Sequence, residues 1–565
     1  SIASGGNYNV VVGDEAGTAL TTGDGNVAIG FEALLTATTA SNNTAIGFNA
    51  LKLNTSGGNN TAVGRLSADA LTEGSANVAL GNAALTADTL GSKSVAVGNA
   101  ALGAQNFTTA TDSFNTAVGY NAGTLVTTGV ENTLIGGLAG DALTDADDNV
   151  AVGYLALSTD TKGSFSVAIG RRALLTQNFT TSTDALNVAV GTNAGAAVTT
   201  GTNNTLIGTS SGDALTDADF NVALGSFALS ADTLGSRSVA IGYTALSVQN
   251  FTTATDSNNV AVGNAAGAAV TTGIKNTLLG GRSGDALTDA DSNVAIGESA
   301  LSSDTLGSKS VAIGDSALYA QNFTTATDSY NTAVGFAAGN AVTTGIQNTI
   351  MGGLAGDALT DADQNVAIGY NALSSDTKGN HTVAIGQGAL FSQNFATSFD
   401  CNNVAVGHNA GVLSTTGVDN TLIGAFAGDA LTDADSNVAV GRQALSTDTL
   451  GSRSTAIGNN ALFSQNFTTA TNTYNTAVGY EAGVANTTGE TNTFLGATAG
   501  AANTSGNNNS AMGYAALFTN ILSDRNVAVG NNALYSHNQA TSIDSYNVAV
   551  GFNAGTAVTT GTSNT

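Results

Sequence analysis

The sequence has no proline and no tryptophan, one cysteine, and only 10% charged residues in 565. Each shortage excludes something. Without proline every backbone N–H stays a donor, as continuously paired strands require. One cysteine, Cys401, allows no intrachain disulfide, so the redox compartment cannot be read from it. Fourteen Lys and Arg stand against 41 Asp and Glu, for a net charge of −27. That balance lacks the clustered cations that nucleic acid or an anionic membrane surface would need. No apolar run is long enough for a membrane span, so no direct membrane insertion is expected in this segment. Aromatics reach only 6%, while hydrophobic residues make up 42% and glycines number 71. Such a chain is too apolar for simple disorder and too poor in bulk for a wide globular core. It can fill a narrow core that repeats along an axis.

The repeat is N-[T/V]-A-[V/I]-G, then two variable residues, Ala, and Leu or Gly. Its glycines fall 17 apart from Gly13 to Gly98; the next step, to Gly119, is 21. From there three steps of 17 and one of 21 make a 72-residue super-repeat, and 31 motif glycines run to Gly551. A 17-residue period is too short for helix-pair repeats and suits one turn of a parallel β-coil. The expected fold is therefore all-β, a parallel β-solenoid of about 31 coils, each rising about 4.8 Å, or about 150 Å in total. Residues 1–565 read as one continuous solenoid: leading coils over 1–118, six super-repeats over 119–550, and the start of another over 551–565. The chain opens and stops within its repeat, which is the expectation for a fragment of a longer protein.

Within Asn149-Val150-Ala151-Val152-Gly153, Val150 and Val152 share one face and Ala151 takes the other. The residue before the glycine is large and apolar in every coil, so the large face is expected to point inward. The motif asparagine is expected to cap the turn and form an amide ladder. Every fourth coil replaces the small Ala by Leu134, Leu206, Leu278, Ile350, Leu422 or Phe494, while the position four after the glycine alternates between Gly and Leu. Large–small alternation of this kind is expected where neighbouring layers interdigitate or a partner chain packs close. Asp145 and Lys162 are 17 apart, as are Asp361 and Lys378, so stacking predicts charge pairs between coils. Arg237 is expected over Phe220 instead, and Arg525 has no acidic cluster in the coil before it.

The strings Ser94-Val95-Ala96-Val97-Gly98 and Ser166-Val167-Ala168-Ile169-Gly170 resemble the head repeats of YadA-like trimeric autotransporter adhesins. They equally resemble the N-T-A-V-G-Y-N-A repeats of phage tail fibres. The resemblance covers essentially the whole chain. It implies a left-handed β-roll, a homotrimer, and an extracellular place on a cell surface or virion fibre. The coils here are slightly longer than the typical head repeat, and the 21-residue coil is an addition.

Candidate sites are few. His381, His408 and His537 occupy unrelated coil positions, and no recurring set of base, nucleophile and orienting group accompanies them, so no enzyme activity and no cofactor are expected. Cys401 stands where other super-repeats have Ser257 or Ser329. Asp145, Asp147 and Asn149 have an alternating oxygen spacing that suits calcium, but a loop glycine and a closing glutamate are missing, and a salt-bridged turn is the simpler reading. The segment Q-N-F-T-T-A-T-D-S carries the extra residues of the long coil. It sets Asn106-Phe107, Asn178-Phe179, Asn250-Phe251, Asn322-Phe323, Asn394-Phe395 and Asn466-Phe467 in a row 72 apart, with Gln539 breaking the series. An aromatic beside an amide could stack on a sugar; the alternative is that each Phe tucks under its own loop.

The functional expectation is a structural fibre segment of a surface adhesin or tail fibre, attaching to a host-surface glycan or protein receptor through repeated weak contacts. The alternative is a self-assembling matrix or sheath filament with no dedicated receptor. Thr-Thr pairs such as Thr127-Thr128 recur only once per 72 residues, too sparse for an ice-binding lattice.

Overall fold

A computed structural model describes residues 6–565, in two units, Ser1–Gly281 and Arg282–Thr565. The described residues contain strands and turns and no helix. Each unit is a parallel β-solenoid. Three-residue strands centred on the motif alanine, such as Val150–Val152, pair in parallel with the strand one coil before and one coil after. The register is the repeat itself: Thr133 lies against Val150, and Val150 against Val167. At the long coil it becomes 21, with Val167 against Val188. Short second strands, such as Gly163–Ser164 with Thr183–Asp184, brace the long coil.

The face assignment made from the strand pattern is inverted. Ala151 and its equivalents are fully buried, whereas Val150 and Val152 are half-buried. The reason is the narrowness of the coil. Opposite the strand, Leu157 and Leu174 fill the interior from the position four after the glycine, leaving room only for a methyl group at the centre of each strand. Where the central residue is large, the opposing position is glycine. A Cβ on Gly123 would lie 2.6 Å from Leu134 Cδ1, and one on Gly140 would lie 2.7 Å from Leu134 Cδ2. Phe494 is accommodated in the same way by Gly483 and Gly500. The large–small alternation is thus interdigitation of layers within one chain.

The backbone turns by means of left-handed residues. The motif glycines adopt φ near 140°, as at Gly153 (141°), and a Cβ there would sit 2.5 Å from the Gly170 carbonyl oxygen. Two or three further residues per coil are left-handed without being glycine; on either side of Gly153, Asp148, Leu155 and Leu157 have φ of 59°, 59° and 53°. Each costs roughly 1 kcal/mol against an ordinary conformation. Hydrogen bonds between coils hold them there, from the amides of Asp148, Leu155 and Leu157 to the carbonyls of Val130, Gly137 and Ala173.

Candidate functional site

The asparagine ladder forms as expected and is buried. Asn149 Nδ2 donates to the Gly163 carbonyl, and its Oδ1 accepts the Ser166 amide of the next coil. Asn26, Asn43 and Asn60 repeat the arrangement. A buried amide column with its polar atoms partnered aligns the coils.

Where a coil carries Ser, or Thr at Thr382, in place of Asn, just before a long coil, a buried polar cluster takes over. Around Asp232, the Gly235 and Phe251 amides and Gln249 Nε2 all donate to the carboxylate. Gln249 Nε2 also reaches Ser238 Oγ, and Gln249 Oε1 accepts from Asn259 Nδ2, which restores the ladder. The glutamine thus bridges the step that the short serine cannot span. The same group recurs as Asp88 with Gln105, Asp160 with Gln177, Asp304 with Gln321, Asp376 with Gln393 and Asp448 with Gln465. Burial raises the carboxyls of Asp88, Asp232 and Asp448 above the ordinary aspartate value, opposed by the hydrogen bonds from Gln and backbone amides. In the last super-repeat all three positions change together, to Asn520, Asn526 and His537, and burial lowers the histidine's pKa. The clusters were missed in the sequence. Their signal was there: an Asp in the coil before each long coil and a Gln in the long coil itself, recurring at 72 residues.

Cys401 takes the place of Ser257, which contacts the cluster's Ser238, and Thr382 takes the place of Ser238. Cys401 Sγ contacts Thr382 Oγ1 and the Asn380 carbonyl, as Ser257 Oγ does with Ser238 and the Ser236 carbonyl. Burial pushes its thiol up to about 11.

Charge pairing follows the stacking, with one extension. Lys162 lies 3.6 Å from Asp145 and Lys378 lies 3.7 Å from Asp361, as the spacing requires. Arg237 does lie over the Phe220 ring, 5.6 Å from its centroid, but its carboxylate partner is Asp256 in the following long coil. Lys93, Lys309 and Arg525 likewise pair forward, with Asp112, Asp328 and Asp544. The sequence reading looked for the acid only in the coil before.

The proposed loop residues divide. Phe107, Phe179, Phe251, Phe323, Phe395 and Phe467 are only 5–8% exposed. Each ring lies on the coil beneath; a Cβ on Gly163 would come 2.7 Å from Phe179 Cδ2. These rings offer no free face to a sugar, and the packing alternative describes them. Asn106, Asn178, Asn250, Asn322, Asn394 and Asn466 are exposed, and each side-chain oxygen accepts from a threonine one coil back, such as Thr89 to Asn106 and Thr161 to Asn178. The register is still 17 at Gln105, then 20 at Thr111 and 21 at Thr116, so the added residues bulge outward just after Phe107.

Asp145, Asp147 and Asn149 do not converge. Asn149 is inside the ladder, Asp147 Oδ1 accepts the Val130 amide, and Asp145 pairs with Lys162 at the surface. Among the described residues no group of three or more His, Cys, Asp or Glu could hold a metal ion. The histidines lie apart: His381 bonds Gln364 and approaches Asp400, His408 meets the Phe426 ring edge-on, and His537 is in the last buried cluster.

The outward face of the strands repeats in every coil of each unit. Because the alanines point inward, the first and third strand residues form a partly exposed, uncharged stripe in each unit, aliphatic at the third position and Val or a hydroxyl residue at the first, with Ile135, Met351 and Leu495 39–46% exposed. No protein-family model and no curated protein matches this chain.

Proposed function

We propose that this chain is the structural fibre segment of an extracellular adhesin or tail fibre and that it works as a homotrimer. The observation that carries the reading is the uncharged stripe. Each coil presents an aliphatic residue outward at the third strand position and Val, Thr or, once, Ser510 at the first, and no charged side chain interrupts the series. A run of aliphatic side chains of that kind within each unit is the sort of surface that a partner chain covers. Three stripes meeting on one axis would remove them from water and leave the acidic turns outside, where a net charge of −27 per chain keeps the assembly dispersed. The repeats then offer many equivalent outward positions, so weak single contacts sum to firm attachment to a host-surface glycan or protein receptor.

The test is mass in solution. Light scattering of the chain should report about 166 kDa, three times the 55.4 kDa of one chain. A monodisperse monomer would remove the trimer. Open-ended growth into filaments would favour the self-assembling matrix reading.

A further inference from the structure

The long coil carries a second pattern. Asn106-Phe107-Thr108 is an N-x-T triplet, the pattern at which an asparagine side chain accepts a sugar, and it recurs at Asn178, Asn250, Asn322 and Asn466. The geometry is the same each time. The central Phe is clamped: its ring is buried, and its amide donates to the buried aspartate of the coil before, from Phe107 to Asp88 and from Phe251 to Asp232. The residues on either side of it are exposed. Asn106 Oδ1 is held by the Thr89 hydroxyl and Asn250 Oδ1 by that of Thr233. Nδ2, the atom that would take a sugar, has no partner among the described residues. Thr108, Thr180, Thr252, Thr324 and Thr468 likewise have neither amide nor hydroxyl bonded among the described residues. The hydroxyl that the pattern requires is therefore free in the bulge.

The other N-x-S/T triplets are closed in one of two ways. Asn54, Asn380, Asn486 and Asn503 are buried. Asn42, Asn59, Asn203 and Asn508 each precede a strand that begins with the required hydroxyl residue. Its amide is committed to the next coil, as from Thr44 to the Asn60 carbonyl and from Thr205 to that of Asn221. An enzyme that must close around the triplet is denied by paired backbone and admitted by an unpaired bulge.

We infer that Asn106, Asn178, Asn250, Asn322 and Asn466 are acceptors for N-linked glycosylation in the folded chain. The donor class is a glycosyl diphosphate, carried on a nucleoside or on a lipid and delivered by a transferase of the producing cell. Nδ2 attacks the anomeric carbon and forms the N–C bond. The bond from that carbon to the diphosphate oxygen breaks, the diphosphate leaves with the electron pair, and one amide proton passes to the transferase's base. In the first unit successive acceptors lie four coils apart, about 19 Å, so each sugar has its own stretch of surface. None of the acceptors lies in a strand, so the modification is separate from the proposed seam and stands without the adhesin reading.

The test offers the whole folded chain, made in cells without such transferases, to two systems. One is a soluble N-glycosyltransferase with UDP-glucose; the other is oligosaccharyltransferase membranes with a lipid-linked oligosaccharide. Peptide mass spectrometry should place sugar on the five N-F-T asparagines and on neither Asn394, where Ala396 replaces the threonine, nor the buried Asn54 and Asn486. The system that adds sugar identifies the donor. Thr108→Ala should abolish addition at Asn106 alone, and Ala396→Thr should create an acceptor at Asn394; both side chains are exposed, so the fold is kept. No addition in either system overturns the inference. Addition to Asn394 or Asn54 in the folded chain, or addition at Asn106 that survives Thr108→Ala, overturns it as well. A chain that takes sugar at these asparagines yet is monomeric and attaches to no cell surface keeps the acceptors and sinks the adhesin reading.

Discussion

Gly153 shows how little freedom a single residue has in this fold. Its φ of 141° and the 2.5 Å approach of the Gly170 carbonyl leave no space for a methyl group against backbone that cannot yield. Gly153→Ala is expected to destabilise its coil by about 3 kcal/mol, read as loss of amide-exchange protection in the coils on either side. The non-glycine left-handed residues offer the opposite change. Leu186 is exposed with φ of 54°, and the same place in other super-repeats is held by Asn258 and Asn402. Asparagine tolerates this conformation better than leucine, so Leu186→Asn should stabilise by about 0.5 kcal/mol, measured as a higher denaturation midpoint.

At the scale of the element, the buried Asp–Ser–Gln cluster acts as one unit. Gln249→His alone would break the bond to Asp232 and disturb that to Asn259, at a cost of about 2 kcal/mol. The last super-repeat shows the compatible combination, Asn520 with Asn526 and His537. The triple change Asp232→Asn, Ser238→Asn, Gln249→His should therefore recover most of the loss in urea denaturation, a non-additivity expected of groups in one network. The carboxyls also set a pH dependence. Because burial raises Asp88, Asp232 and Asp448 above the ordinary aspartate value, the folded chain binds their protons more readily than the unfolded chain does. Their contribution to stability is then greatest below the unfolded value and is lost as pH rises through the folded one. The melting temperature should climb as pH is lowered from neutrality toward about 4, and Asp232→Asn with Asp448→Asn should flatten that climb. A melting temperature that falls over this range would show that the hydrogen bonds outweigh the burial.

For the whole molecule the decisive surface is the uncharged stripe. Replacing its outward residues by acid, as in Val150→Glu with Val167→Glu and Val222→Glu, leaves the alanine core untouched and places charge in the proposed seam. The expected outcome is a folded chain of unchanged circular dichroism and about one-third the mass in sedimentation. The same variants at an exposed turn, such as Thr128→Glu, should stay trimeric.

The sequence by itself determined the coil, its period and its register. A motif recurring every 17 residues with an inward-capable asparagine admits few other solutions, and Asn149, Lys162 and the Leu134–Gly140 complement lie where spacing placed them. Only the tertiary structure decided which face is inside. Strand alternation says that Val150 and Ala151 point opposite ways, and it is silent on how wide the interior is. The Leu157 row filling that interior from the far side makes the smaller residue the core and turns the larger ones outward. The same holds for the buried aspartates and the Phe107 row. A carboxylate in a turn and an aromatic in a loop look exposed until the next coil supplies the glutamine, the amides and the glycine that enclose them. Those enclosing partners come from other coils, and burial depends on where in its own coil each one sits.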